Sequence, residues 1–359
     1  MKAGRFLVLV ALLSLACGGG PSAIVECVAA DGVTPICGFQ NPEDLAHLPG
    51  ASWIAVSQFP GLSGGATGSL VAYRVADGRR RVLFPDPDAS PSVKPTWGSP
   101  ECPGPPDPAG FGPHGIDVDR RNYRLAAVVH GAREAVELFE IRQSPEGPQL
   151  EWRGCVVMPE GVGINDVALL PDGGFVVTKM FSLGGVAQVV SMLRMLAGAT
   201  TGHLLEWHPD SGLQQVPESE GVAPNGVAVS ADGRALYFAE WGRSGLVRIL
   251  RLPDGSVERR FVALDHRPDN LTWTRDGHLL VTGQVGPIGE LFACGSTEQG
   301  TCGLPFSVYR VEPVSLDAQL VLAHPGTGHG AGTVALEVGD EIFLGTFDGD
   351  RIGRAALRR

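Results

Sequence analysis

Short apolar runs separated by turn residues repeat along the whole chain. The segments 53–58, 70–75, 124–129, 136–141, 174–178, 235–239, 245–250, 279–282, 307–311 and 341–345 read as strands. No long amphipathic helical pattern recurs between them, which argues against a doubly wound α/β fold. Six times a short polar signature heads such a run: P-E-D-L at 42–45, P-H-G-I-D-V at 113–118, I-N-D-V-A at 164–168, P-N-G-V-A-V at 224–229, P-D-N-L-T-W at 268–273 and A-G-T-V-A-L at 331–336. Several are followed by a turn and a second strand, as in L-P-D-G-G-F-V-V at 170–177 and S-A-D-G-R-A-L-Y-F at 230–238.

Successive signatures start 71, 51, 60, 44 and 63 residues apart. Roughly 40–50 residues make one four-stranded blade, so each interval holds a blade plus loops. The expectation is an all-β chain folded as a six-bladed β-propeller. Two segments break the pattern. Residues 85–112 are Pro-rich, contain Cys102 and read as a long loop. Residues 181–204 are apolar and predict a short helix, either plain packing or a lid over a binding funnel.

Composition supports this reading. Gly 50 and Pro 28 are high for 359 residues, but they sit between the apolar runs, as in a turn-rich β protein. At the N-terminus, Lys2 and Arg5 precede an apolar run from Phe6 to Ala16, too short to span a bilayer as a mature helix. The run ends in L-L-S-L-A-C at Cys17, followed by Gly18, Gly19 and Gly20, which resembles a bacterial lipobox. This predicts a signal peptide at 1–16, an anchor or linker at 17–36 and the propeller at 37–359. Cys17 would carry the lipid and hold the protein to the membrane at the bacterial cell envelope. The alternative is an ordinary secretory signal cut nearby.

Residues 1–16 hold two of the 28 positive charges and none of the 39 negative ones, so the remainder carries a net −13. That argues against nucleic acid as a partner and suits a protein that holds divalent cations. Six further cysteines, Cys27, Cys37, Cys102, Cys155, Cys294 and Cys302, point to disulfides in an exported chain. Cys27–Cys37 and Cys294–Cys302 would make local loops, leaving Cys102–Cys155, but the sequence alone leaves the pairing open. A zinc site is disfavoured because no C-x-x-C pair occurs.

Blades are arranged radially, so a polar residue at the same end of each inner strand points into one shared space. The signatures place Glu43, His114, Asn165, Asn225, Asp269 and Asn270 there. Any one of these is adequately explained as a turn residue. As a set they offer two carboxylates and three amide oxygens without sulfur, a donor set suited to Ca²⁺. His114 beside them has the chemistry of a general base, with activity then falling below a pKa of roughly 6.5. The sixth signature brings only Gly332 and Thr333.

F-G-P-H-G-I at 111–116, I-N-D-V at 164–167, P-N-G-V-A-V-S-A-D-G-R at 224–234 with Y-F-A-E at 237–240, P-D-N-L at 268–271 and N-P-E-D-L at 41–45 resemble the paraoxonase/arylesterase family over roughly residues 37–350. Gluconolactonases and strictosidine-synthase-like proteins form the wider circle. The resemblance implies two calcium ions. A catalytic one would use Glu43, Asn165, Asn225, Asp269 and Asn270, and a structural one Asp44, Asp166 and the backbone carbonyl of Ile116. It implies His114 as the active-site histidine, with His130 a looser match to its partner because the following loop is shorter here. The family's terminal disulfide lacks a late cysteine, Cys302 being the last, and 181–204 departs in detail.

The expectation is therefore an exported calcium-dependent hydrolase of lactones and aryl esters. Water would be activated by His114 or Asp269. One G-x-S-x-G match occurs, G-L-S-G-G at 61–65, but it lies in a glycine-rich stretch with no helical pattern after it, so it does not read as a serine nucleophile elbow. The alternatives are a non-catalytic ligand-binding propeller with structural calcium, and a sugar lactonase of the gluconolactonase type.

Overall fold

The computed structural model describes residues 21–50, 52–61, 67–86, 94–295, 297 and 299–357. The expected signal at 1–16 and the expected lipid site Cys17 lie outside these residues. The described chain forms six blades of antiparallel strands in a ring, blade two gaining a short parallel edge strand at Trp97–Gly98, with one two-stranded pairing of Ala23–Ile24 to Thr301–Cys302 beside them. The inner strands are Pro42–His47, Phe111–Asp119, Val162–Leu169, Pro224–Val229, Arg267–Trp273 and Gly332–Val338, heading blades one to six in that order. Each inner strand touches those of its neighbours, with blade six returning to blade one.

The apolar runs follow from this geometry. A strand between two neighbouring blades is buried on both faces, so alternation gives way to continuous apolar sequence. In Ala235–Glu240, Ala235, Tyr237 and Ala239 face blade five, whereas Leu236 and Phe238 face blade three. Six such core clusters each fill one gap between adjacent blades.

The ring closes non-covalently. Val33–Cys37 pairs antiparallel with Arg351–Ala356 and becomes the outermost strand of blade six. This part of the 17–36 segment therefore belongs to the propeller. Pro35 reads as a strand breaker in sequence, but an edge strand tolerates a missing N–H. Arg351, fully buried, donates to the carbonyls of Ile24, Val25, Glu26 and Gly328, pinning the segment that leads into that strand. Disulfides join Cys27–Cys37, Cys102–Cys155 and Cys294–Cys302, which settles the pairing that the sequence left open.

Two α-helices occur among the described residues: α1 at Gly185–Leu196, within the predicted 181–204 segment, and α2 at Ile288–Cys294. Met195 of α1 and Leu291 and Cys294 of α2 pack with Val222 and Trp241 in a seventh apolar cluster. No helix among the described residues is long and apolar enough to cross a membrane.

Candidate metal centre and histidine relay

Each inner strand breaks its ladder at its signature. Register shifts fall between Pro42 and Asp44, Pro113 and Ile116, Ile164 and Val167, Pro224 and Val227, Pro268 and Leu271, and Gly332 and Ala335. A bulge leaves residues unpaired and re-aims their side chains. The repeated polar signature is thus a repeated bulge. Two glycines let the bulges approach each other. A Cβ on Gly115 would meet Asp166 Oδ1 at 2.1 Å, and one on Gly226 would meet the Asp269 carbonyl oxygen at 2.3 Å.

Four of the expected outer ligands are brought into direct relation. Asn270 Nδ2 donates to Glu43 Oε1 at 2.8 Å, from blade five to blade one. Asn225 donates to the Asp269 carboxylate, and the Glu43 and Asp269 charges act on each other. Asn165 stands at the equivalent bulge of blade three, with Nδ2 on Met180 Sδ at 3.5 Å. In the sixth blade, Thr333 Oγ1 donates to the Glu43 backbone carbonyl at 2.6 Å.

Asp44 and Asp166 form a second layer. Asp44 Oδ2 accepts from the Ile116 N–H at 2.7 Å, and Asp166 Oδ2 from the Val227 N–H at 2.7 Å, each bridging to the next blade. Ile116 thus meets Asp44 through its N–H. Asp117, which sequence reasoning did not single out, bridges blade two to blade three through the Leu169 N–H at 2.7 Å.

Burial raises Glu43, Asp44 and Asp166 well above the usual carboxylate range, and neighbouring carboxylates add to it. Burial also pushes Asp269 up to about 7, against the Gln284 and Asn225 donors, and Asp117 to about 6. Among the described residues no Lys or Arg ion pair serves Glu43, Asp44, Asp166 or Asp269; His114 Nε2, 3.7 Å from Glu43 Oε1, is the nearest base. Glu43 Oε2, Asn225 Oδ1 and Asn270 Oδ1 are buried without a hydrogen-bond partner. Unpartnered buried acceptors beside raised carboxyls are costly unless a cation satisfies them. The donor set therefore fits a hard divalent ion.

His114 lies at the cavity side of this layer. Its Nδ1 is 3.1 Å from His130 Nε2, and His130 Nδ1 is 2.9 and 3.0 Å from the two oxygens of Glu134. With His130 neutral, its Nδ1–H donates to Glu134 and its Nε2 accepts from His114 Nδ1–H. This leaves the His114 Nε2 lone pair facing Glu43. Phe59 stacks on His114 with ring centroids 4.7 Å apart. Burial, and the repulsion a protonated His114 would meet from His130 when that ring is also protonated, hold His114 well below its ordinary pKa. The loose match at His130 becomes a direct contact because the two residues sit on paired strands, with Gly112 opposite His130.

Glu134 is absent from the sequence-based set. Its signal was the H-x-x-x-E spacing across the turn between Arg124–Gly131 and Ala135–Ser144. Arg133, bonded to buried Glu137 at 2.6 Å and to the Gly104 carbonyl at 2.8 Å, holds that turn.

A cavity of about 600 Å³ opens over the relay. His114, His130, Glu134 and Asn165 supply its polar groups, and Phe59, Phe111, Ile164, Met180, Phe181 and Leu183 line the rest. Phe181 and Leu183 come from the approach to α1, while α1 itself turns Val186, Val190, Leu193 and Leu196 outward. A smaller cavity of about 220 Å³, bordered by Asp44, Asp117 and Asp166, lies on the other side of the carboxylate layer. His329, a further histidine near the sixth inner strand, is fully buried against Phe306.

No family model matches the chain, and no curated protein sequence matches it. Similar solved structures include a provisionally named gluconolactonase at TM-score 0.55 and 17% identity, covering 92% of this chain and 94% of that one. Another is a gluconolactonase from Xanthomonas campestris at TM-score 0.54 and 19% identity, covering 96% of each chain. A third is a luciferin-regenerating enzyme at TM-score 0.54 and 12% identity, covering 90% of this chain and 94% of that one. At such identities the likeness establishes the propeller fold alone.

Proposed function

We propose that this chain is an exported calcium-dependent hydrolase of lactones and aryl esters, of the paraoxonase type. The observation that carries the reading is the set of unpartnered buried oxygens on Glu43, Asn225 and Asn270, beside Asp269 and under the His114–His130–Glu134 relay. Glu43, Asn165, Asn225, Asp269 and Asn270 would hold one ion. Asp44, Asp166 and the Ile116 carbonyl would hold a structural one. When bound, the first ion would supply Lewis-acid polarisation of a carbonyl oxygen and charge stabilisation for the developing oxyanion.

The chain's own groups supply the remainder. His114 Nε2 takes the proton of the attacking water. His114 Nδ1–H is held by His130, whose orientation Glu134 fixes. A depressed His114 pKa keeps the ring neutral and competent as a base at neutral pH. As the tetrahedral centre collapses, His114 returns the proton to the leaving alkoxide or phenoxide. The apolar walls exclude bulk water and accommodate an aryl or alkyl substituent.

A sugar lactonase is the second reading, favoured by the gluconolactonases among the structural neighbours. The apolar lining counts against it, since a polyhydroxylated ring needs donors and acceptors on the cavity wall. A panel of alkyl and aryl lactones, phenyl acetate and glucono-lactone separates the two. Faster hydrolysis of apolar substrates supports the first, and a preference for the sugar lactone the second. Cleavage of none of them, despite calcium binding, supports a ligand-binding propeller. The three disulfides suit an exported protein, and lipid attachment at Cys17 belongs to this proposal.

A further inference from the structure

We propose that Gln284 is a positioning residue for Asp269 and that Trp241 locks it in place. The proposal rests on the calcium reading above and concerns what sets the geometry of the outer ion's ligands.

Gln284 ends the second strand of blade five, Leu279–Gln284, and is 1% exposed. Its amide nitrogen donates to Asp269 Oδ2 at 2.5 Å and to the Gly332 carbonyl at 3.0 Å. Its Oε1 accepts from the Trp241 indole N–H at 3.2 Å. Every hydrogen-bonding direction of the amide nitrogen is therefore used, and the oxygen has a donor. A flipped amide would set its oxygen against two acceptors and its NH₂ against the indole N–H. The partners thus fix the orientation chemically.

The arrangement spans three blades. Trp241 follows Glu240 at the end of a blade-four strand, Asp269 lies at the bulge of blade five, and Gly332 opens the inner strand of blade six. The bulge removes Asp269 from the backbone ladder, so side-chain hydrogen bonds must hold its carboxylate. A neutral amide does this without cancelling the negative charge. An Arg or Lys at the same place would pair with the carboxylate and repel a cation. Outer partners of metal ligands commonly alter metal affinity or activity by about 10–100-fold when removed.

The test is a calcium titration by calorimetry on wild type, Gln284→Met and Trp241→Phe. It is accompanied by tryptophan fluorescence, thermal melts with and without calcium, and kcat and KM for phenyl acetate. Gln284→Met keeps the side-chain volume and removes the donor. It should weaken the outer site about 10–100-fold while leaving the second site filled, with kcat/KM recovering as calcium is raised. Trp241→Phe leaves the Asp269 contact but frees the amide. It should weaken the same site several-fold and reduce the tryptophan fluorescence response to added calcium relative to wild type. If Gln284→Met does not fold, the Trp241→Phe titration decides alone. Unchanged calcium affinity in the folded variants overturns the positioning role while leaving the calcium reading intact. Absence of calcium binding by the wild type overturns both.

Discussion

His114 Nδ1 lies 3.1 Å from His130 Nε2, and the far side of His130 is held by Glu134. The chain of contacts gives His114 a fixed tautomer and a lone pair directed at the buried carboxylate layer. His114→Gln should lower kcat/KM by about 10²–10⁴-fold with calcium affinity retained. Glu134→Leu should lower kcat on the order of 10-fold with little change in KM, since it orients rather than reacts. Equal kcat losses in His114→Gln and a remote surface variant would remove the relay from the account.

The pH profile follows from the direction of the His114 shift. Burial and His130 lower its pKa, so the reactive neutral form persists to lower pH than for a free imidazole. The acid limb of kcat/KM should fall below pH 6.5 in wild type and disappear in the residual activity of His114→Gln. A wild-type limb above 6.5 would contradict the burial argument.

Calcium should matter more for stability as pH rises. Asp269 and Asp117 have folded-state pKa values raised to about 7 and about 6, from 3.8. A raised carboxyl favours the folded state while protonated. That contribution is present below the unfolded pKa and is lost as pH rises through the folded one. In excess chelator the melting temperature should therefore fall between about pH 4 and pH 8. Added calcium should restore it by about 5–10 °C at pH 8 and by little at pH 4.5. A calcium effect independent of pH would separate the ion from these carboxylates.

Much of this architecture was legible in the chain. Strands such as Trp53–Gln58 and Leu279–Gln284 are buried on both faces, so their apolar runs are dense and bounded by turns. The outer strands were not read: Val257–Ala263 is largely solvent-facing and carries Glu258, Arg259 and Arg260, and Val33–Cys37 contains Pro35. Helix α2 is short and flanked by glycines, which masks its period. In the site, the bulge residues announced themselves by repetition. Glu134 and Gln284 belong to no repeated signature, and only the folded strands bring them to His130 and Asp269. Asp117 lies within the 113–118 signature, but its bond to Leu169 depends on the packing of blades.

The closeness of the bulges makes Gly115 indispensable. Gly115→Ala would drive a Cβ to 2.6 Å from the Asp166 backbone Cα, which cannot move without shifting the inner strand of blade three. It should destabilise the fold by about 2–4 kcal/mol in chemical denaturation. Gly289→Ala in α2, where a Cβ meets nothing within 4 Å, should be neutral or stabilising by up to about 1 kcal/mol. Equal effects at the two positions would contradict the packing argument.

Hydrolysis of phenyl acetate and a δ-lactone, followed before and after verified calcium removal and again after calcium is returned, tests the central claim most directly. Wild type should lose both activities in chelator and regain them with calcium. Asp269→Ala should remain folded and inactive throughout. Full activity of the wild type after complete calcium removal would contradict the account.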